Sequence, residues 1–135
     1  MYFDDPPTDR QAMITAVAMP SDTNALGDIF GGWLMSQADI AGAILAYRRA
    51  GGRVVTVAVD CFNFILPVYV GDRVIFYADL ARTGKTSIKV DLSIFAQSNW
   101  DDGAIRRVAT GSMIYVHIDE ARRPTPIEGD AKSQD

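Results

Sequence analysis

One carboxylate, Asp39, sits in the middle of residues 31–49, GGWLMSQADIAGAILAYRR. Trp33, Leu34, Ala38, Ile40, Ile44 and Tyr47 leave that stretch without a wide polar face until Arg48 and Arg49. A helix that is apolar on every side is normally buried in a core. An isolated buried carboxylate is costly unless it is paired or hydrogen-bonded. Asp39 is therefore either a satisfied structural group or the acid of a cavity. In a cavity it has two chemical uses, as a general base on water or as a nucleophile.

Gly31-Gly32 opens the same stretch. The first N–H groups of a helix have no intrahelical partner, and the helix dipole adds partial positive charge there. Glycine lets a ligand approach closely. Such an end can stabilise a carbonyl oxygen as it becomes an oxyanion. Paired glycines also start helices for steric reasons alone, so the pair by itself decides nothing. Gly31 and Asp39 are eight residues apart, about two turns or ~12 Å along one helix. That is too far for both to touch one small carbonyl within one chain. Two antiparallel helices related by a two-fold axis would bring the glycine end of one to the acid of the other.

Other chemistries find little support. The single histidine, His117, and the single cysteine, Cys61, lie in strand-like runs; they read as a strand-end histidine and a small packed apolar group. Neither a cluster with metal-ligand spacing nor a phosphate loop is present. A lone cysteine excludes an internal disulfide and fits a reducing compartment. The start of the chain shows no signal-peptide pattern, so the expectation is a cytoplasmic protein. The longest apolar run is far short of a membrane span. Net charge is −4 and the isoelectric point about 4.8, which disfavours nonspecific nucleic-acid binding.

The 135 residues suffice for one domain with a real core. Residues 1–10 are polar and Pro-containing and read as a flexible tail, as do residues 128–135; residues 11–127 form the domain. A first strand is expected over 11–19. Turn formers fill 21–32, and Gly51-Gly52 ends the helix. Strands are expected over 53–65, 73–82, 86–96 and 104–118, with a loop over 97–103 and a fraying segment after Asp119. In the third of these Ile88, Val90, Leu92, Ile94 and Ala96 share one face and Lys89, Asp91 and Ser93 a wetter one. Short connections imply an antiparallel sheet, so the class is α+β. One sheet covers only one side of an all-round apolar helix, which calls for a second copy of the chain.

The runs MPSDTNALGDIFGGWLMSQADIAGAILA (19–46), RVVTVAVDCFNFILPVYVGD (53–72) and TGKTSIKV (83–90) closely resemble the hotdog-fold acyl-CoA thioesterases of the YciA-like type. The resemblance spans residues 11–127. It implies a curved antiparallel sheet wrapped around the long helix, a dimer with a continuous sheet, and assembly into a tetramer or hexamer. It also implies hydrolysis of acyl-CoA to free acid and CoA, with CoA as part of substrate and product and no separate cofactor or metal. By the same resemblance Asp39 is the catalytic carboxylate. Asn24 is a polar active-site residue supplied by the partner chain, and Gly31 and Gly32 form the oxyanion-binding helix start. Thr83, Gly84, Lys85, Thr86 and Ser87 contact CoA, and Asn63 with Phe62 and Phe64 lies near the thioester and acyl chain. Arg82, Arg106 and Arg107 join Lys85 as candidates for the CoA phosphates, against the plainer reading of solvated surface charge. Two other readings stand beside hydrolysis: a dehydratase, which usually sets a histidine against the acid, and a noncatalytic acyl-CoA-binding module, which has no need of that acid.

Overall fold

Glycine decides where the central helix stops. Gly51 adopts φ 72°, and its N–H donates to the Tyr47 carbonyl at 2.9 Å, the left-handed closure that glycine takes without strain. The computed structural model describes residues 1–98 and 103–129. The chain runs β1 (Ile14–Val17), a 3-10 turn (Pro20–Asp22), α1 (Gly31–Ala50), β2 (Val54–Phe64), β3 (Arg73–Thr83), β4 (Ser87–Gln97) and β5 (Arg106–His117). All pairings are antiparallel, in the order β1-β3-β4-β5-β2. This is the single curved sheet with one long helix expected of the hotdog fold. No helix among the described residues is long and apolar enough to cross a membrane.

The sheet's inner face supplies Phe76, Ile88, Val90, Leu92, Ile94, Met113 and Tyr115 to the core, all fully buried. Burying each such side chain contributes on the order of 1.5–3 kcal/mol. The helix answers with a narrow stripe of mostly small residues: Leu34, Ala38, Ala41, Gly42, Ala46 and Ala50. Small side chains let the helix lie close to the sheet, and the stripe repeats at helical spacing.

As expected of a single sheet, the chain leaves part of its helix uncovered: Ile40 is 50% and Tyr47 54% exposed. Other expectations need correction. Although β2 and β3 are consecutive, they are not neighbours. Residues 65–72 cross to the far side of the sheet and cover the entry to α1, where the Ile29 N–H donates to the Val68 carbonyl at 2.9 Å. Ser93, expected on the wet face of β4, is buried. What covers it is the segment expected to be a loose N-terminal tail. The Phe3 N–H donates to Ser93 Oγ at 2.9 Å, Tyr2 Oη lies 2.6 Å from Ser112 Oγ, and Arg107 Nη1 donates to the Phe3 carbonyl at 3.1 Å. The segment after Asp119 does not fray either. Thr125 N–H donates to the His117 carbonyl and Ile127 N–H to the Lys85 carbonyl, and Ile127 is buried. Residues 99–102 of the expected 97–103 loop and 130–135 of the expected C-terminal tail lie outside the described residues.

Candidate active site

Asp39 is half-buried on α1, facing the start of β2. Thr56 Oγ1 donates to Asp39 Oδ1 at 2.6 Å. On the other side of the helix backbone, Tyr115 Oη donates to the Asp39 main-chain carbonyl at 2.7 Å. Burial, then the nearby Asp39 charge and the hydrogen bond to Asp39, hold the Tyr115 phenol well above its ordinary value of 10.0. It therefore stays a neutral donor. Thr56 escapes a reading of sequence because its run, VVTVAV, has no alternation of polar and apolar residues to assign its face. The register turns irregular only beyond it, at Thr56/Ala58 and Val59/Cys61. A lone hydroxyl in an otherwise apolar run of six residues was the available signal.

Gly32, Met35, Ser36, Asp39, Thr56, Val59 and Met113 surround a concavity of about 330 Å³. The two glycines divide their work. A Cβ on Gly31 would lie 2.9 Å from Phe64 Cζ, so Gly31 admits the Phe64 ring against the helix start. A Cβ on Gly32 would meet nothing within 4 Å. The steric account of the pair fits Gly31, while Gly32 faces open space beside the carboxylate's own cavity.

Asn24 is elsewhere. It borders a second concavity of about 420 Å³ with Asp28, Gly31, Leu34, Phe64 and Pro67. Its Oδ1 accepts from the Leu26 N–H at 2.9 Å and the Asp28 N–H at 3.1 Å, which folds the loop on itself. The side-chain amide N–H₂ has no partner among the described residues. One chain thus brings Asp39 and Gly32 to one concavity and Asn24 and Gly31 to another.

Phe62 and Phe64 stack with centroids 5.0 Å apart on the helix side of β2, and the Phe62 ring covers Gly111. Asn63 pairs with Thr110 and alternates to the opposite face. Thr83 to Ser87 form the β3–β4 turn, closed by the Gly84 N–H donating to the Ser87 carbonyl at 2.7 Å; Lys85 is exposed on it. Two of the cationic candidates are committed elsewhere. Arg106 Nη2 binds Asp72 Oδ2 at 2.6 Å and the Pro67 carbonyl at 3.1 Å, and Arg107 Nη1 lies 3.3 Å from Asp4 Oδ1. His117 is at the far end of the helix, with Nδ1 3.2 Å from the Pro126 carbonyl in a hollow shared with Arg49 and Gly51. The histidine that a dehydratase would set against the acid is thus remote from Asp39. No group of three or more potential metal ligands occurs among the described residues.

The chain is similar to known proteins over most of its length. The acyl-CoA thioester hydrolase YciA of Salmonella typhimurium is 42% identical over 123 residues, 88% of this chain and 92% of that one. The hexameric thioesterase y2039 of Yersinia pestis superposes with a TM-score of 0.84 at 43% identity, covering 91% of this chain and 99% of that one. A hexameric hotdog fold thioesterase of Campylobacter jejuni, Cj0915, superposes with a TM-score of 0.87 at 36% identity, covering 95% and 98%. The family model of the thioesterase superfamily matches residues 26–99, which hold the Asn24-side loop from Leu26, the helix with Asp39, Thr56 and the β3–β4 turn. With the fold and these matches in agreement, the chain belongs to the thioesterase superfamily.

Proposed function

We propose that the protein is an acyl-CoA thioesterase, hydrolysing acyl-CoA to the free acid and CoA. The observation that carries this is Asp39, hydrogen-bonded by Thr56 on the wall of the cavity that Gly32 leaves open, in a chain 42% identical to an acyl-CoA thioester hydrolase. A thioester carbonyl is electrophilic enough for water to attack with help from a base. Asp39 takes the water proton as the oxygen bonds to the carbonyl carbon. The oxyanion forms against the N–H groups at the helix start. It then collapses, the C–S bond breaks, and the proton held by Asp39 passes to the departing CoA sulfur. Direct attack by Asp39 would instead form an anhydride that water opens in a second step. The reaction needs no cofactor beyond the CoA of the substrate.

The working unit in this reading is a homo-oligomer built from dimers. The outer edge of β2 is unpaired in the chain, with Val57 55% and Val59 44% exposed, and the uncovered Ile40 and Tyr47 face of the helix adjoins it. A second copy would cover both. It would bring Asn24 and Gly31 of one chain toward the Asp39 cavity of the other, with the β3–β4 turn and Lys85 meeting CoA.

Replacement of Asp39 tests the reading. Asp39→Ala and Asp39→Asn, assayed by thiol release on acyl-CoAs from short to long, are expected to lose at least 100-fold in kcat, as removal of a general base does, while still binding acyl-CoA. Undiminished hydrolysis would remove Asp39 from the mechanism. Binding lost together with hydrolysis would make it a ligand contact instead.

A further inference from the structure

Tyr115 is the largest fully buried side chain among the described residues, and its hydroxyl ends against the helix backbone. The reason is Gly42. A Cβ at that position would collide with Tyr115 Oη and would lie 3.1 Å from Cζ and 3.2 Å from Cε1. Through the notch that glycine leaves, Oη donates to the main-chain carbonyl of Asp39 at 2.7 Å and lies 3.7 Å from Met113 Sδ. Met113 is itself a wall of the Asp39 cavity. In an α-helix the Asp39 carbonyl also accepts the N–H of Ala43, so the phenol is an added tether on one helical turn.

We infer that Tyr115 is a positioning residue: its hydroxyl, admitted by Gly42, sets the helical turn that carries Asp39 against the cavity wall formed by Met113. The inference rests on Asp39 being the catalytic acid. Its physical basis is that productive geometry tolerates little displacement, and an error of about 1 Å lowers rate by about 100-fold. Tyr115 is rooted in β5 and fully buried, whereas Ile40 and Tyr47 leave one face of the helix exposed. The tether thus ties the acid to the rigid sheet from below, while Thr56 holds its carboxylate from β2.

Tyr115→Phe removes only the hydroxyl. It is expected to lower kcat about tenfold with KM within twofold. Amide hydrogen exchange should quicken in residues 39–43 and stay unchanged in β4. Gly42→Ala displaces the hydroxyl and is expected to lower kcat similarly. The double variant is expected to be no worse than Gly42→Ala alone, because both changes break one contact. Unchanged kcat in Tyr115→Phe, exchange that quickens evenly across the fold, or losses that simply add would each overturn the inference. Asp39→Ala in the same assay separates the two readings. If it keeps turnover, the assignment of Asp39 has failed. If it is inactive and Tyr115→Phe is unimpaired, only the role of Tyr115 has.

Discussion

Lys85 is exposed on the tight β3–β4 turn, and its ammonium has no partner among the described residues. Arg106 and Arg107, its rivals in the sequence, hold the 65–72 crossing and the N-terminal segment. A side chain that meets only the phosphates of CoA contributes equally to ground state and transition state. Lys85→Ala is therefore expected to raise KM for acyl-CoA by about three- to tenfold with little change in kcat, and to flatten the dependence of KM on ionic strength. Steady-state kinetics at low and high salt checks this; a loss confined to kcat would place Lys85 in the chemistry instead. Asn24 is constrained by its own loop. Its carbonyl oxygen is spent on two loop N–H groups, so only its N–H₂ is left for a substrate.

At the scale of elements, the outer face of the sheet sets Asp79 directly opposite Asp91, an arrangement that is unfavourable for two like charges. The N-terminal segment resolves it. The Met1 amino group lies 2.8 Å from Asp79 and 3.0 Å from Asp91, and Arg10 Nη1 lies 2.9 Å from Asp79. Burial pushes the Asp79 carboxyl up, but the hydrogen bonds from the Met1 amino group and Arg10 outweigh it and leave it below its ordinary 3.8. A carboxylate with a depressed folded value stabilises the docked segment at pH above its unfolded value, and that contribution fades as pH falls through the folded value. Residues 1–10 are thus expected to be protected from proteolysis at pH 7 and to become cleavable below about pH 4. Arg10→Ala should expose them at neutral pH. Cleavage unaffected by either change would mean that the ion pairs do not hold the segment. This docking is where the sequence was least informative. The strand and helix boundaries were readable to within a few residues, because periodicity, Pro67 and Gly51 are local signals. That Ser93 is buried depends on Phe3, ninety residues away, and no local pattern carries such a contact. Thr56 was hidden for a different reason, the uniformly apolar residues on either side of it.

For the whole molecule, the open β2 edge and the uncovered helix face concern one and the same surface. Val57→Lys puts a charge into that edge, a device that blocks strand addition. The proposed dimer predicts that this variant shifts to smaller species in sedimentation velocity and loses at least tenfold in activity per chain, with a folded circular dichroism spectrum. An unshifted, fully active oligomer would assign the interface to another surface.

The edge of β2 carries a second consequence. Residues 54–59, VVTVAV, are six uncharged, β-prone residues without proline, on a strand whose hydrogen-bonding edge is open. Such segments are what cross-β fibrils stack from. Arg53 and Asp60 bracket the run, and Asp60 is tied down by Lys89 at 2.8 Å. Charges flanking such a run disfavour the stacking of many copies, and Arg53 and Asp60 stand in those positions. Under the proposed dimer the same edge would take one orderly partner.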